Sequence, residues 1–174
     1  VISPKLLWVR SFAQIYNPIL ALKVLQQLLV SHPNAQLSMV GPSKDDSIHT
    51  CKVYTAKHNL PVTFTGGMAK ADWLKYAQDF DIFINTTNVD NTPVSVIEAM
   101  ALGLPVVTTN VGGIPYLLEG QKEALLVPPN DVPAMTQAIT SLLENPEKTK
   151  KLSIAGRQKV EAFDWEVVKE KWSG

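Results

Sequence analysis

The sequence is poor in cysteine: its 174 residues include one, Cys51. No disulfide can therefore form within the chain, and a reducing cytoplasm is the expected compartment. Because Cys51 falls near Ile48 in a helical pattern, we expect a small buried hydrophobic side chain rather than a nucleophile. The chain also lacks any run of the ~18 apolar residues that a membrane-spanning helix needs. No charged start followed by an apolar segment is visible, so no signal peptide is expected.

An excess of charge of either sign is missing as well. Sixteen Lys and Arg residues balance sixteen Asp and Glu residues, so the broad electrostatic footprint of a nucleic-acid-binding or membrane-surface protein is absent. Any anion must then be bound locally. The G-x-G-x-x-G and Walker fingerprints of dinucleotide and NTP sites are also absent. His32, His49 and His58 show no ligand spacing, so we expect no metal site.

The sequence does contain a regular alternation of short apolar runs with helical patterns. The predicted strands cover residues 6–9, 37–40, 61–65, 81–85, 105–108 and 124–127, and the predicted helices cover 17–30, 45–57, 69–78, a segment from 93 to 102, 114–118, a segment from 131, 146–160 and 164–172. This alternation predicts a Rossmann-like, three-layer α/β/α domain with a six-stranded parallel sheet and right-handed crossovers. Residues 1–174 form one predicted domain, with 163–174 as a closing tail helix. The chain begins almost directly on a strand pattern, which suggests a domain cut from a longer protein.

Polar and glycine-rich residues follow several of the predicted strands. They are Arg10 after the first strand, Gly41-Pro42 after the second, Gly66-Gly67 after the third, the segment from Asn85 to Thr92 after the fourth and the segment from Thr108 to Gly113 after the fifth. In open parallel sheets, ligands bind beyond the carboxyl ends of the strands. The sequence therefore predicts a binding site at this edge. Both glycine pairs are most simply turn residues with positive φ, and backbone approach to a base or sugar is the second interpretation.

Residues 88–111 form the central stretch of this edge, where a polar loop leads into a short apolar helix. Thr92 is a candidate N-cap, and Pro93 suits the first helical position. The N–H groups of Val94 and Ser95 would then be exposed at a helix N-terminus, which favours an anion such as a diphosphate.

Two carboxylates accompany this helix end. Glu98 lies about one turn (~5.4 Å) inside the helix, where it could accept hydrogen bonds from the hydroxyls of a ribose. Asp90 lies just before the cap, where a sugar on the far phosphate would present more hydroxyls. The combination suits a nucleotide sugar.

This stretch resembles the family 4 glycosyltransferases of the GT-B fold, also called group 1. The resemblance rests on Asp90 and Glu98 with seven residues between them, followed by AMALGLPVV and TNVGGIPYLL. In that family, two glutamates at this spacing contact the donor sugar and the ribose. The resemblance therefore implies that Glu98 binds ribose, that Asp90 contacts the transferred sugar, that the two form the catalytic carboxylate pair, and that Gly112 and Gly113 shape the pocket.

The resemblance also implies that Arg10 binds the donor phosphates, because an arginine commonly follows the first strand in the family. A phosphate-binding lysine usually lies five residues further on, where this chain has Ile15. The first glutamate of the family is an aspartate here. Residues 91–93 read Asn-Thr-Pro instead of the usual Gly-Phe-Gly, and proline has no backbone N–H to offer a sugar.

From these residues we predict the C-terminal donor-binding domain of a retaining, hexosyltransferase-type glycosyltransferase, one half of a GT-B enzyme of polysaccharide biosynthesis. The resemblance implies a nucleoside diphosphate sugar as donor, a glycan or lipid-linked acceptor, and no cofactor or catalytic metal. The acceptor-binding N-terminal domain is absent from the chain, so little transfer is expected from this domain alone. We expect a cytoplasmic protein, peripheral at the inner membrane face at most, through the parent enzyme. Two alternatives remain open: a nucleotide-sugar epimerase of the same fold, and a non-catalytic flavodoxin-like or receiver-like module.

Overall fold

The computed structural model describes residues 4–90, 93–118 and 120–162. Within them, six strands alternate with helices. The strands are β1 (Lys5–Val9), β2 (Gln36–Val40), β3 (Val62–Gly66), β4 (Ile82–Asn85), β5 (Val106–Thr109) and β6 (Leu125–Val127). The helices are α1 (Pro18–Ser31), α2 (Ser47–His58), α3 (Lys70–Ala77), α4 (Val94–Ala101), α5 (Ile114–Leu117), α6 (Val132–Glu144) and α7 (Pro146–Glu161), with a 3-10 helix at Gln14–Tyr16. The predicted tail helix, with Trp165 and Trp172, lies outside the described residues.

The strands form one parallel sheet in the order β3-β2-β1-β4-β5-β6. This arrangement confirms the predicted Rossmann-like fold class. A flavodoxin-like or receiver-like module has the order 2-1-3-4-5 instead. The topology therefore contradicts that alternative. The order reverses between β1 and β4, which places a crevice at their carboxyl ends.

Both faces of the sheet are covered by helices, because the strands are apolar on both faces. Leu6 and Trp8 of β1 pack in a core that includes Leu25 of α1, while Leu7 packs in a second core that includes Ile97 of α4. Successive side chains of a strand point to opposite faces, so one short run serves two layers. Cys51 is fully buried in the first of these cores, as the sequence predicted.

Helix α4 begins one residue later than predicted. Pro93 occupies the N-cap position with φ −79° and ψ 59°, which is not a helical conformation, and Val94 is the first helical residue. The sequence had placed Pro93 inside the first turn. The predicted cap, Thr92, lies outside the described residues. The helix ends as expected before Gly103, whose φ of 82° is readily adopted only by glycine.

Within residues 4–90, 93–118 and 120–162, no helix is both long enough and apolar enough to cross a membrane.

Candidate functional site

A cavity of about 320 Å³ lies at the carboxyl ends of the strands, beside the crevice where the strand order reverses. Its lining comprises Val9, Arg10, Ser11, Tyr16, Trp73, Val94, Ser95 and Glu98. Four of the residues singled out in the sequence, Arg10, Val94, Ser95 and Glu98, therefore share one cavity. They come from the end of β1 and from α4, which are far apart in the chain.

Arg10 follows the last residue of β1, and its side chain has neighbours on two sides. Its Nη1 donates to Asp90 Oδ2 at 2.8 Å, and its Nη2 donates to Asp90 Oδ1 at 3.3 Å. The guanidinium carbon lies 4.2 Å from the centre of the Tyr16 ring, a cation–π arrangement. The guanidinium is thus paired along one edge and stacked on one face. It still lines the cavity, and 17% of the side chain is exposed.

The N-terminus of α4 forms another wall of this cavity. Val94 is 39% exposed, and its neighbour Ser95 is partly exposed. The first N–H groups of an α-helix have no acceptor within the helix, and they carry the positive end of its dipole. The first turn of α4 contains no acidic residue to offset that field. The geometry suits a bound anion next to Arg10.

Glu98 lies one turn further along α4 and also lines the cavity. Its side chain is 11% exposed, and its Oε1 lies 3.6 Å from Nζ of Lys70 on α3. The neighbouring residues Ile97 and Ala99 are fully buried. The carboxylate therefore points towards Lys70 and the cavity, while its neighbours in the helix pack in the core.

The Arg10–Asp90 and Lys70–Glu98 ion pairs are oriented in the same way relative to solvent. In the Arg10–Asp90 pair the exposed fractions are 17% and 0%, and in the Lys70–Glu98 pair they are 54% and 11%. In each pair the cation is nearer to solvent than the carboxylate. An approaching ligand therefore meets positive charge first, although the chain as a whole is neutral.

Asp90 is not part of the cavity lining, and its carbonyl oxygen accepts the N–H of Gly113 at 2.9 Å. Gly112 has φ 57°, and a Cβ atom there would lie 2.0 Å from that same oxygen. The Gly112-Gly113 turn thus packs against the backbone of Asp90. Gly66 ends β3 with φ 78° and accepts the N–H of Gly41 at 2.9 Å. It does not line the cavity either.

Sequence reasoning missed three residues of this region. They are Tyr16, Lys70 and Trp73, none of which was among the candidate residues. Lys70 and Trp73 are three apart, which places them on the same face of α3. That spacing was a usable signal, whereas nothing in the local sequence marks Tyr16.

A second cavity, of about 390 Å³, lies where the N-termini of α1 and α2 meet. Asp45 and Asp46 line it. The hydrogen bonds that Asp45 accepts from Ser47 and from the N–H of Gln14 lower the pKa of its carboxyl group, so this group is ionised at neutral pH. Two carboxylates make this cavity a poor host for an anion, despite its larger volume.

The sequence model of the family described as "Glycosyl transferases group 1" matches residues 3–159. This chain belongs to that family. The matched residues include the whole sheet, helix α4 and the lining of the cavity. The family inferred from the sequence motif is therefore confirmed.

Among curated relatives, this glycosyltransferase domain is 28% identical to sulfoquinovosyl transferase SQD2 of Arabidopsis thaliana over 150 residues, which cover 83% of this chain and 28% of that protein. Sucrose-phosphate synthase of Thermosynechococcus elongatus has a similar solved structure, with TM-score 0.84 and 27% identity, covering 98% of this chain and 44% of that one. HepE of Anabaena, solved with UDP and glucose, shares the fold with TM-score 0.86 and 19% identity, covering 99% of this chain and 47% of that one. The chain thus spans less than half of each of these relatives.

Proposed function

We propose that this chain is the donor-binding domain of a retaining glycosyltransferase, which takes a sugar from a nucleoside diphosphate sugar and passes it to a glycan or lipid-linked acceptor. One observation carries the proposal: Arg10, the N-terminus of α4 and Glu98 line a single cavity at the crevice of the sheet. The cavity thereby offers a cation, helix N–H groups and a carboxylate acceptor to one ligand. A nucleoside diphosphate has the matching groups, namely an anion flanked by ribose hydroxyls.

In this proposal the diphosphate lies between the guanidinium of Arg10 and the N–H groups of Val94 and Ser95. Sugar transfer breaks the bond between the anomeric carbon and the terminal phosphate oxygen and forms a bond from that carbon to the hydroxyl oxygen of the acceptor, whose proton passes to the departing diphosphate. As the first bond breaks, negative charge accumulates on that phosphate. A fixed cation and fixed N–H dipoles aimed at this oxygen stabilise the departing diphosphate more than the bound donor. No step in this scheme requires a metal ion. Glu98 accepts hydrogen bonds from the ribose, which holds the nucleotide while the bond breaks.

The three candidate glycines contribute through their backbone conformation. Gly112 and Gly113 shape the loop next to Asp90, and Gly66 leaves the end of β3 open to a base. We also propose that the acceptor site belongs to an N-terminal domain of the parent enzyme, since the chain spans 28% of one relative and 44% of another. The isolated domain should then bind donor and transfer little sugar.

Calorimetric titration of the 174-residue chain with UDP, GDP, ADP and TDP tests the proposal. We expect one of them to bind with a dissociation constant in the micromolar to millimolar range, roughly −4 to −8 kcal/mol. Binding by none would reject the proposed site. An assay for sugar transfer and for epimer formation should detect neither at appreciable rate, and robust turnover of either kind would contradict the requirement for a second domain.

A further inference from the structure

Asp90 lies behind Arg10 as seen from the cavity. Its side chain is 0% exposed and does not line the cavity, whereas the Arg10 side chain is 17% exposed and lines it. Both carboxylate oxygens of Asp90 accept hydrogen bonds from the guanidinium, at 2.8 and 3.3 Å. The carboxylate of Asp90 is therefore directed at Arg10 and not at the cavity.

Asp90 is itself fixed by neighbours from two further strands. Its Oδ2 accepts a hydrogen bond from Nδ2 of Asn85, the last residue of β4, at 3.4 Å. Asn85 also donates to Oγ1 of Thr108 on β5, at 3.0 Å. The carbonyl oxygen of Asp90 accepts the N–H of Gly113, in the loop after β5, at 2.9 Å. The carboxylate therefore contacts a residue of β4 that is itself hydrogen-bonded to β5, and the backbone of Asp90 is held by the loop after β5.

The guanidinium is held in turn by this fixed carboxylate and by Tyr16. The two hydrogen bonds to Asp90 fix the direction in which one edge of the guanidinium points, and the Tyr16 ring, 4.2 Å from the guanidinium carbon, packs against its face. Asp90 uses two of its N–H groups, and a guanidinium has five. The other N–H groups can donate to a ligand, and their directions are already fixed by these two contacts. A long, flexible side chain that is ordered before binding loses less entropy when a ligand arrives.

We propose that Asp90 is a positioning residue for Arg10, rather than a ligand of the donor sugar. The inference rests on the proposed function, since it assigns a role within the same site. It departs from the sugar contact that the family resemblance implies for this position. An aspartate is one methylene shorter than the glutamate of the family, and here its reach ends at the guanidinium.

The two roles predict different ligand preferences, so paired ligands separate them. A residue that orients Arg10 acts on the diphosphate, which UDP and UDP-glucose share. A residue that contacts the sugar acts on UDP-glucose alone. The experiment measures the affinities of the wild-type chain and of Asp90→Asn for UDP and UDP-glucose, and for GDP and GDP-mannose, by calorimetry. Asp131→Asn is the matched control, because Asp131 caps α6 through the N–H of Ala134 and does not line the cavity.

We expect Asp90→Asn to weaken binding of the nucleoside diphosphate and of its sugar ester by the same factor, about tenfold, because the amide has no charge and only one acceptor oxygen for the guanidinium. Asp131→Asn should leave both affinities within twofold. A loss confined to the sugar ester, or no loss for either ligand, would overturn the inference. If the wild-type chain binds neither pair, the same measurement is made with ADP and ADP-glucose and with TDP and TDP-glucose. Binding of none of the four pairs means that the proposed function itself fails, and that result is separate from any effect of the substitution.

A second background keeps the test valid if Asp90→Asn does not fold. The double variant Arg10→Met/Asp90→Asn removes both charges, so no buried charge is left without its partner, which is the costly state. Without a guanidinium to orient, the ratio of its affinity for UDP-glucose to its affinity for UDP should stay within twofold of the wild-type ratio. A loss for UDP-glucose that is absent for UDP would show direct contact of Asp90 with the sugar and would overturn the inference.

Discussion

A Cβ atom on Gly41 would lie 1.7 Å from the carbonyl oxygen of Arg10. Gly41 follows β2 directly, and its N–H donates to Gly66 at the end of β3, while the N–H of Arg10 donates to Val40 at 3.0 Å. The backbones of the first three strands are thus in contact at the edge where the cavity lies. The backbone of Arg10 is therefore set in part by Gly41, which does not line the cavity.

Gly41→Ala should therefore damage both stability and binding. The added methyl group must push the Arg10 carbonyl away, at a cost of about 1–3 kcal/mol in the free energy of unfolding. Urea unfolding and calorimetry with the nucleotide that binds would measure the two effects. Gly67→Ala is the matched control, because its φ is not positive and its new Cβ would meet Pro42 at an ordinary 3.6 Å. Equal stability of the two variants would contradict this account.

Glu98→Gln should weaken nucleotide binding by about 1–3 kcal/mol, since a charged acceptor for the ribose hydroxyls is lost. The same change should spare inorganic pyrophosphate, which has no ribose. Calorimetry with UDP and with pyrophosphate therefore separates the two contacts. Glu161→Gln is the control, because Glu161 is 63% exposed and pairs with Arg157 on the outer helix α7. An unchanged affinity for every nucleotide would place Glu98 outside the contacts that hold the ligand.

Trp73 should report on the cavity by its fluorescence. It lines the cavity and is 7% exposed, whereas Trp8 is 1% exposed and donates its indole N–H to Thr86 at 2.9 Å. A bound nucleotide changes the surroundings of Trp73, so the emission of the wild-type chain should change on titration. Trp73→Phe should lose most of that change, and Trp8→Phe should keep it. The opposite pattern would mean that the ligand binds elsewhere.

Burial of Cys51 predicts a stability that falls at alkaline pH. Burial raises the pKa of its thiol from 9.0 to about 12, so between these values the unfolded chain releases a proton that the folded chain retains. The thiol then favours the unfolded state increasingly as the pH rises, by about 1.4 kcal/mol at pH 10. Urea unfolding at pH 7.5 and 10 would show this as a smaller stability difference between wild type and Cys51→Ala at the higher pH. A constant difference would contradict the buried thiol.

The predictable part of this protein is the part set by local pattern. The alternation of apolar runs with helices predicted the parallel sheet, and the cluster of polar residues at strand ends predicted the edge that holds the cavity. The pairing of Arg10 with Asp90 was not predictable, because it joins residues 80 positions apart through a choice of side-chain rotamers. Pro93 was placed inside the helix because proline commonly occupies a first turn. Its ψ of 59° lies outside the helical region, so the helix begins at Val94.

Ile15→Lys should strengthen binding of the diphosphate. Ile15 occupies the position of the phosphate-binding lysine in the resembling family, and its side chain is 52% exposed, so a longer polar side chain can be accommodated there. The backbone contact of this segment with the loop after β4, from the N–H of Asn88 to the Ile15 carbonyl at 2.9 Å, does not depend on the side chain. We expect the affinity for UDP or pyrophosphate to rise severalfold at low salt, and the gain to shrink as added salt screens the new charge. Val30→Lys is the control, because it adds the same charge at an 80% exposed valine near the far end of α1. An equal gain from both lysines would indicate a general charge effect, and no gain from Ile15→Lys would show that the diphosphate lies out of reach of this position.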